Sequence, residues 1–155
     1  MADQKEYLSK EKYVELEKEL DHLKKVVRRE VAENLEYAKG LGDLSENAEY
    51  QEARANQAST EERIAKLENI LKNAEIMTIH HSNVISIGST VHVKKEGDSK
   101  NRIYQIVGSE ESDMATGKIS LRSPMGQALQ GKEKGDTFVL NTPAGKVNYT
   151  ILEIE

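Results

Sequence analysis

The sequence predicts an α+β protein: an antiparallel helical hairpin, or coiled coil, followed by a small, antiparallel sheet domain with one short helix. In the first half of the chain, apolar residues recur every three or four positions, which is the period of an amphipathic helix. In the second half the period changes to two, and β-forming residues are separated by Gly, Asp and Pro. Because the composition changes near residue 78, we expect the hairpin in residues 1–78 and the sheet domain in residues 79–155.

The first helix is predicted from Ser9 to about Lys39. Its apolar positions, with charged residues between them, are Leu16, Leu20, Leu23, Val27, Val31, Leu35 and Ala38. Thirty helical residues extend roughly 45 Å, which is typical of a coiled-coil arm. Gly40 and Gly42 then interrupt the pattern and predict the end of the helix and a turn.

The second helix is predicted from about Ser45 to Ala74, antiparallel to the first. Small residues, Ala48, Ala55 and Ala58, lie near the turn, and the larger Ile64, Leu67 and Leu71 lie farther from it, before Ala74. We therefore expect an arm that is slender near the turn and better packed toward its base.

Five strands and a short helix are expected in the second half. The predicted strands are Thr90 to Lys94, Arg102 to Gly108, Lys118 to Arg122, Thr137 to Leu140 and Lys146 to Ile154, with the helix at Met125 to Gln130. Turn-forming segments such as Lys95–Asp98 and Thr142–Gly145 separate them.

Composition excludes several classes of protein. The chain has 155 residues, no cysteine and a net charge of -5. The lack of cysteine excludes disulfide frameworks and thiolate metal sites. The negative charge argues against a protein that binds duplex DNA on its own. No apolar run approaches 18 residues, so we expect a cytoplasmic protein with no membrane partner.

The turn between the helices carries several acidic residues, and we call residues 42–50 the tip. Asp43 and Glu46 have the spacing of a capping box, in which Asp43 is the N-cap of the second helix. Alternatively, the two carboxylates share a divalent cation with ligands from another molecule, as Mg2+ commonly binds one or two carboxylates plus water and phosphate. Two carboxylates alone bind Mg2+ weakly, so no stable metal is expected in the isolated protein.

The tip, Gly42-Asp43-Leu44-Ser45-Glu46-Asn47-Ala48-Glu49-Tyr50 with Glu52-Ala53-Arg54, resembles the signature of the Gre transcript-cleavage factors, and more closely their GreA branch. Further similar segments follow in the family's order: Tyr104–Gly108, Ile119–Pro124, Ala128–Lys132, Gly135-Asp136, Thr142–Gly145 and Tyr149–Leu152. The chain departs at Glu111-Ser112-Asp113, where the family usually has Ala in the middle, which affects only local loop contacts.

The resemblance implies a transcription elongation factor whose hairpin enters the secondary channel of bacterial RNA polymerase. There it stimulates the polymerase to cleave backtracked nascent RNA, which rescues arrested complexes. The polymerase keeps the catalysis, so the chain is not itself an enzyme. The resemblance also implies that Asp43 and Glu46 help hold a Mg2+ ion shared with the polymerase, with no cofactor bound alone. The sheet domain is expected to be FKBP-like and to dock at the channel rim, and the chain is expected to be a monomer.

Further site residues carry both a functional and a structural interpretation. Asn47, Glu49 and Tyr50 are expected to support the tip. Alternatively, Asn47 is only a polar residue of the first helical turn, Glu49 a solvated side chain and Tyr50 an aromatic residue packed between the helices. Contact with the RNA 3' end is expected from Arg54 and from a basic strip, which alternatively is only solvated: Lys24, Lys25, Arg28 and Arg29. Ser123 and Pro124 are expected either to dock on the polymerase or simply to cap the short helix.

Other functions remain alternatives. A non-cleaving inhibitor of the same fold would occupy the same channel, but Asp43 and Glu46 argue against it. A peptidyl-prolyl isomerase needs an aromatic-lined pocket, and beyond residue 85 the aromatics are only Tyr104, Phe138 and Tyr149. A coiled-coil chaperone is the third alternative. The four histidines, His22, His80, His81 and His92, lack the i,i+4 spacing of a helical metal pair and are given no metal role.

Overall fold

The computed structural model describes residues 5–78 and 82–155. His80 and His81, to which the sequence assigns no metal role, lie outside the described residues. Contacts divide the chain into two compact units, Glu11–Ala74 on the one hand and the described residues of Gln4–Lys10 and Glu75–Glu155 on the other. This grouping differs from the boundary after residue 78 chiefly at the N-terminus.

The first unit is built from helices. Helix α1 spans Lys10–His22, a π-helical segment spans Leu23–Val27, and α2 continues over Arg28–Lys39. Helix α3 spans Ala48–Lys72. The long first helix is confirmed, with one π-helical segment inside it. The second helix, predicted from about Ser45 to Ala74, begins three residues later and ends two residues earlier than predicted.

Ion pairs across the hairpin show that its helices run antiparallel. Glu19 pairs with Arg63, and Arg28 pairs with Glu61. Arg28 follows Glu19 in the chain, whereas its partner Glu61 precedes Arg63, so the two helices run in opposite directions. The predicted apolar stripe of the first helix is confirmed, because each of its seven residues is buried or half-buried.

The predicted inner face of α3 is correct only toward the base of the hairpin. Ile64 and Leu67 are buried there, as expected, and Ile70 is buried with them. Near the turn Ala48, Ala55 and Ala58 are exposed, and Ala53 is the buried alanine. Alanine has too small a side chain for hydrophobicity to distinguish the two faces, so the interpretation of these three residues as the inner face is wrong.

The second unit contains a five-stranded sheet and a two-stranded sheet. Strands β1 and β2, Glu6–Leu8 and Ala74–Ile76, pair with each other. The larger sheet has the order β5-β4-β3-β7-β6. Its strands are β3 (Thr90–Lys95), β4 (Asn101–Val107), β5 (Lys118–Ser120), β6 (Thr137–Thr142) and β7 (Gly145–Ile154).

The larger sheet is antiparallel except at one edge. β3 pairs antiparallel with β4 and with β7, and β6 pairs antiparallel with β7. β5 runs parallel to β4, with Ile119 opposite Ile106, which corrects the expectation of a wholly antiparallel sheet. The predicted strand positions are otherwise confirmed to within two residues at each end.

One face of the sheet forms the core of this unit. Helix α4 (Pro124–Leu129) contributes Leu129 to a buried cluster with Val91, Val93 and Ile151, among others. The backbone near β1 also packs closely within this unit, because a Cβ atom on Gly108 would lie 1.8 Å from the carbonyl oxygen of Tyr7. Only glycine fits there, which explains why the N-terminal strand groups with the sheet domain.

Candidate functional site

The backbone between α2 and α3 forms a tight turn. The amides of Gly40 and Leu41 donate hydrogen bonds to the carbonyl groups of Tyr37 and Ala38 and so close the end of α2. Gly42 has a φ of 130°, a conformation that residues with a side chain rarely adopt. The glycine therefore allows the chain to reverse direction before Asp43.

Asn47, and not Asp43, caps the second helix. The Oδ1 atom of Asn47 accepts a hydrogen bond of 3.0 Å from the backbone amide of Tyr50, as an N-cap side chain does. Its Nδ2 atom donates a bond of 2.6 Å to the carbonyl oxygen of Ala38 at the end of α2. Asn47 thus fixes the two helices across the turn, and the predicted Asp43–Glu46 capping box is wrong.

Asp43 is held by Ser45 instead. Its Oδ1 atom accepts hydrogen bonds from the backbone amide and the hydroxyl of Ser45, at 3.0 and 2.9 Å. The bonds from the Ser45 amide and hydroxyl lower the pKa of the Asp43 carboxyl below its ordinary value, because they stabilise the ionised form. Asp43 is therefore an anion at neutral pH and is held in a local Asx turn through one of its two oxygens.

The tip brings three carboxylate residues together around one open depression. Its lining is Leu41, Asp43, Glu46, Asn47, Ala48 and Glu49. Glu46 and Glu49 are exposed, and neither has an ion-pair partner among residues 5–78 and 82–155. These oxygens can therefore bind a hydrated divalent cation without first breaking an ion pair.

Two residues that position the tip were missed by the sequence interpretation. Ser45 orients Asp43, and the Nε2 atom of Gln51 donates a bond of 3.2 Å to the carbonyl oxygen of Leu44. The Asp-x-Ser spacing is a recognisable signal for an Asx turn. No sequence pattern indicates the Gln51 contact, because it depends on the path of the turn.

Tyr50 and Arg54 extend the tip along α3. Tyr50 is half-buried, in agreement with the interpretation of a packed aromatic residue. Arg54 is exposed and has no ion-pair partner in the described part of the chain. Its guanidinium is therefore available to an anionic ligand.

The predicted basic strip is neutralised by acidic partners. Lys24 pairs with Glu68 of α3, and Arg28 forms two bonds of 2.8 Å with Glu61 of the same helix. Lys25 and Arg29 pair within their own helix, with Asp21 and Glu33 respectively. An anion would have to compete with these carboxylates, so the strip is a weaker candidate for RNA contact than Arg54.

Ser123 and Pro124 lie at the start of α4. The hydroxyl of Ser123 accepts a bond of 3.1 Å from the amide of Gly126 and donates one of 2.7 Å to the carbonyl oxygen of Ser120. The capping interpretation of Ser123 is thus confirmed, whereas Pro124 is exposed. Two of the three aromatics of the isomerase alternative, Phe138 and Tyr149, stack on each other and are each only 6% exposed. They contribute mainly to the core.

The helical hairpin, which carries an open, acidic depression at its tip, and the small sheet domain together define a class of two-part proteins. Residues 6–76 match the family model described as "Transcription elongation factor, N-terminal", and residues 80–155 match "Transcription elongation factor, GreA/GreB, C-term". The chain therefore belongs to the GreA/GreB family of transcription elongation factors and is of the GreA type.

Individual relatives agree over nearly the full length. The chain is 46% identical to "Transcription elongation factor GreA" of Clostridioides difficile and 44% identical to that of Halalkalibacterium halodurans, and each alignment covers 99% of both proteins. Among solved structures, GreA factor homolog 1 of Thermus thermophilus matches 98% of this chain and 99% of that chain, at 30% identity and a TM-score of 0.45. In the described residues no helix is long and apolar enough to cross a membrane.

Proposed function

We propose that the hairpin enters the secondary channel of bacterial RNA polymerase and stimulates the endonucleolytic cleavage of backtracked nascent RNA. The observation that supports this most directly is the tip, where Asp43, Glu46 and Glu49 surround one exposed depression in a transcription elongation factor of the GreA type. Cleavage would give a new RNA 3' end at the polymerase active centre and rescue the arrested complex. The site of action is the bacterial cytoplasm, and no membrane takes part.

The tip carboxylates complete a site that the polymerase provides. In two-metal phosphoryl chemistry, ions about 3.5–4 Å apart activate the attacking water and stabilise the leaving oxygen. Asp43 and Glu46 would supply anionic oxygens to a Mg2+ ion held jointly with the polymerase and would orient the attacking water, while Asn47 holds the turn and Glu49 adds negative charge. Tyr50 supports the start of α3. Since the polymerase supplies the other ligands, the chain is an activator and not an enzyme, and its tip holds no stable metal alone.

The remaining contacts are assigned by charge and exposure. Arg54, unpaired among the described residues and near the tip, contacts the RNA 3' end. Lys24, Lys25, Arg28 and Arg29 reach RNA only by releasing their carboxylate partners. Pro124, exposed beside the capping Ser123, lies on the surface that docks at the channel rim. The chain acts as a monomer, since one hairpin fills one channel.

The test is cleavage of RNA in a deliberately backtracked elongation complex at physiological Mg2+. The informative variants are Asp43→Asn, which keeps an acceptor oxygen for Ser45 and removes the charge, and Glu46→Gln. Each is expected to bind polymerase normally and to lower the stimulated cleavage rate by about 10²-fold, the scale for one preorganised electrostatic group. Glu62→Gln, at an exposed carboxylate of α3, serves as the matched control.

The opposite result would point to a different function. If the wild-type chain competes for the channel without stimulating cleavage, the non-cleaving inhibitor is correct. If Asp43→Asn and Glu46→Gln cleave as fast as the wild type, the tip carboxylates are only structural.

A further inference from the structure

Three metal-binding side chains meet on the sheet domain, outside the tip. His92 of β3 lies beside Glu153 of β7 and Glu155, the residue after that strand. Each offers a ligand atom, and the three atoms lie within 4.8 Å of one another. The Nε2 atom of His92 is 3.4 Å from the Oε1 atom of Glu155.

The backbone fixes this arrangement. β3 is the central strand of the sheet, and His92 is directly opposite Glu153 in its pairing with β7. The backbone groups of Glu155 and Thr90 exchange two hydrogen bonds, of 2.9 and 2.8 Å. Because alternate residues of a strand share a face, Glu153 and Glu155 project on the same side.

The cluster faces away from the core. Val91 and Val93, which flank His92, are fully buried in the core cluster, so His92 points to the opposite face of the sheet. Its side chain is only 24% exposed, whereas that of Glu155 is 63% exposed. The imidazole is therefore partly fixed by its neighbours, while the two carboxylates can adjust.

The donor set matches one class of cation. Zn2+ binds imidazole nitrogen and carboxylate oxygen at about 2.0–2.2 Å and often uses three protein ligands plus water. Those bond lengths put the ligand atoms of a tetrahedral site roughly 3.4 Å apart, which is the separation found between His92 and Glu155. Mg2+ prefers oxygen ligands and an octahedral shell, so this site and the tip differ in the cation they favour.

The carboxylates of Glu153 and Glu155 are not occupied by basic side chains within the described ranges. Neither Glu153 nor Glu155 forms an ion pair with a Lys or Arg side chain there, and the contact of Glu155 is with His92 itself. We propose that His92, Glu153 and Glu155 form a Zn2+ site that ties β3 to β7. The site is independent of transcript cleavage and stabilises the sheet domain when zinc is bound.

Titration of the untagged full chain with ZnCl2 in a calorimeter tests the site. The wild type is expected to bind one Zn2+, and a hundredfold excess of Mg2+ is expected not to displace it. His92→Gln and Glu153→Gln are each expected to weaken binding by about tenfold or more, since even changes beyond the ligands cost 10- to 100-fold. His22→Gln, at an exposed histidine of α1, is the control and should bind like the wild type.

Melting of the same proteins supplies the second measurement. Zinc should raise the melting temperature of the sheet domain in the wild type and not in Glu153→Gln, whose exposed side chain can change without loss of the fold. Absence of binding by the wild type would overturn the proposal. Unchanged binding in both ligand variants would also overturn it, because the zinc would then be held elsewhere, for example by His80 and His81.

Discussion

At the scale of single residues, Asn47 connects the two helices at the tip. Its side chain accepts from the Tyr50 amide at the start of α3 and donates to the Ala38 carbonyl at the end of α2. The sequence predicts Asp43 as the N-cap of the second helix because acidic residues are good N-caps. Asn47 takes that position because it immediately precedes the helix, which leaves the charges of Asp43 and Glu46 available to a ligand.

Replacement of Asn47 should therefore destabilise the hairpin. Asn47→Ala is expected to lower the free energy of unfolding by about 0.5–2 kcal/mol, the range for loss of an N-cap. Asn47→Asp keeps the acceptor for Tyr50 but lacks the donor to Ala38, so its loss should be smaller. Urea unfolding followed by helical circular dichroism measures both, with the exposed Asn56→Ala as control. Equal stability of Asn47→Ala and Asn56→Ala would show that the cap is dispensable.

The arginines of the hairpin should separate RNA contact from stability. Arg54 has no ion-pair partner in residues 5–78 or 82–155, whereas Arg28 is bound twice by Glu61. Arg54→Ala is expected to slow stimulated cleavage by about tenfold, the scale of one charged hydrogen bond, and to leave the melting temperature unchanged. Arg28→Ala should instead lower the melting temperature. Cleavage rates and melting curves of the two variants distinguish RNA contact from stabilisation. If Arg28→Ala slows cleavage and Arg54→Ala does not, RNA contact belongs to the basic strip.

At the scale of elements, periodicity predicted both helices and the five main strands, because long apolar patterns are set by burial. It did not predict β1 and β2, since three residues are too few to show alternation. The parallel pairing of β5 was also missed. Residues 108–117, with two short 3-10 turns, connect the end of β4 to the start of β5, so that β5 runs in the same direction as β4. The composition of this segment resembles that of an ordinary loop.

Ion pairs across the hairpin make its stability depend on pH. Hydrogen bonds from Arg63 and Arg28 lower the pKa of the Glu19 and Glu61 carboxyls below their ordinary value of 4.5. A lowered folded-state pKa stabilises the hairpin above that ordinary value, and the stabilisation is lost as the pH falls through the lowered pKa. We expect the melting temperature of the helical signal to decrease below about pH 4.5.

Two variants isolate this effect. Glu61→Gln should flatten the acidic decrease in melting temperature, whereas Glu30→Gln, an exposed carboxylate on α2, should leave its slope unchanged. High salt should also reduce the contribution, because exposed pairs are screened. A pH profile that is identical in the wild type and in Glu61→Gln would show that the pair does not stabilise the hairpin.

At the scale of the whole molecule, the sequence located the candidate tip better than it located the contacts that support it. Asp43, Glu46 and Glu49 follow from a short motif, so a linear pattern was sufficient to identify them. The cluster of His92 with Glu153 and Glu155 joins residues about sixty positions apart, and only the pairing of β3 with β7 brings them together. A search for i,i+4 histidine pairs suits helices and does not detect ligands across a sheet.

The two units should make separable contributions to activity. The double variant Asp43→Asn/Glu46→Gln keeps the whole sheet domain, so it is expected to bind polymerase with wild-type affinity and to be inactive in cleavage. Added in excess, it should inhibit stimulation by the wild type in proportion to its occupancy of the channel.

Pro124→Ala provides the complementary case. Pro124 is exposed, and Ser123 still caps α4 in this variant, so the fold should be retained. If Pro124 lies on the docking surface, its loss should weaken polymerase binding by about tenfold, as for a residue of moderate energetic importance. When Pro124→Ala is added to the double variant, inhibition by the resulting protein should fall by the same factor at equal concentration. The single variant Pro124→Ala, at a saturating concentration, should still stimulate cleavage at the wild-type rate. Inhibition that is unchanged by Pro124→Ala would mean that Pro124 lies outside the docking surface.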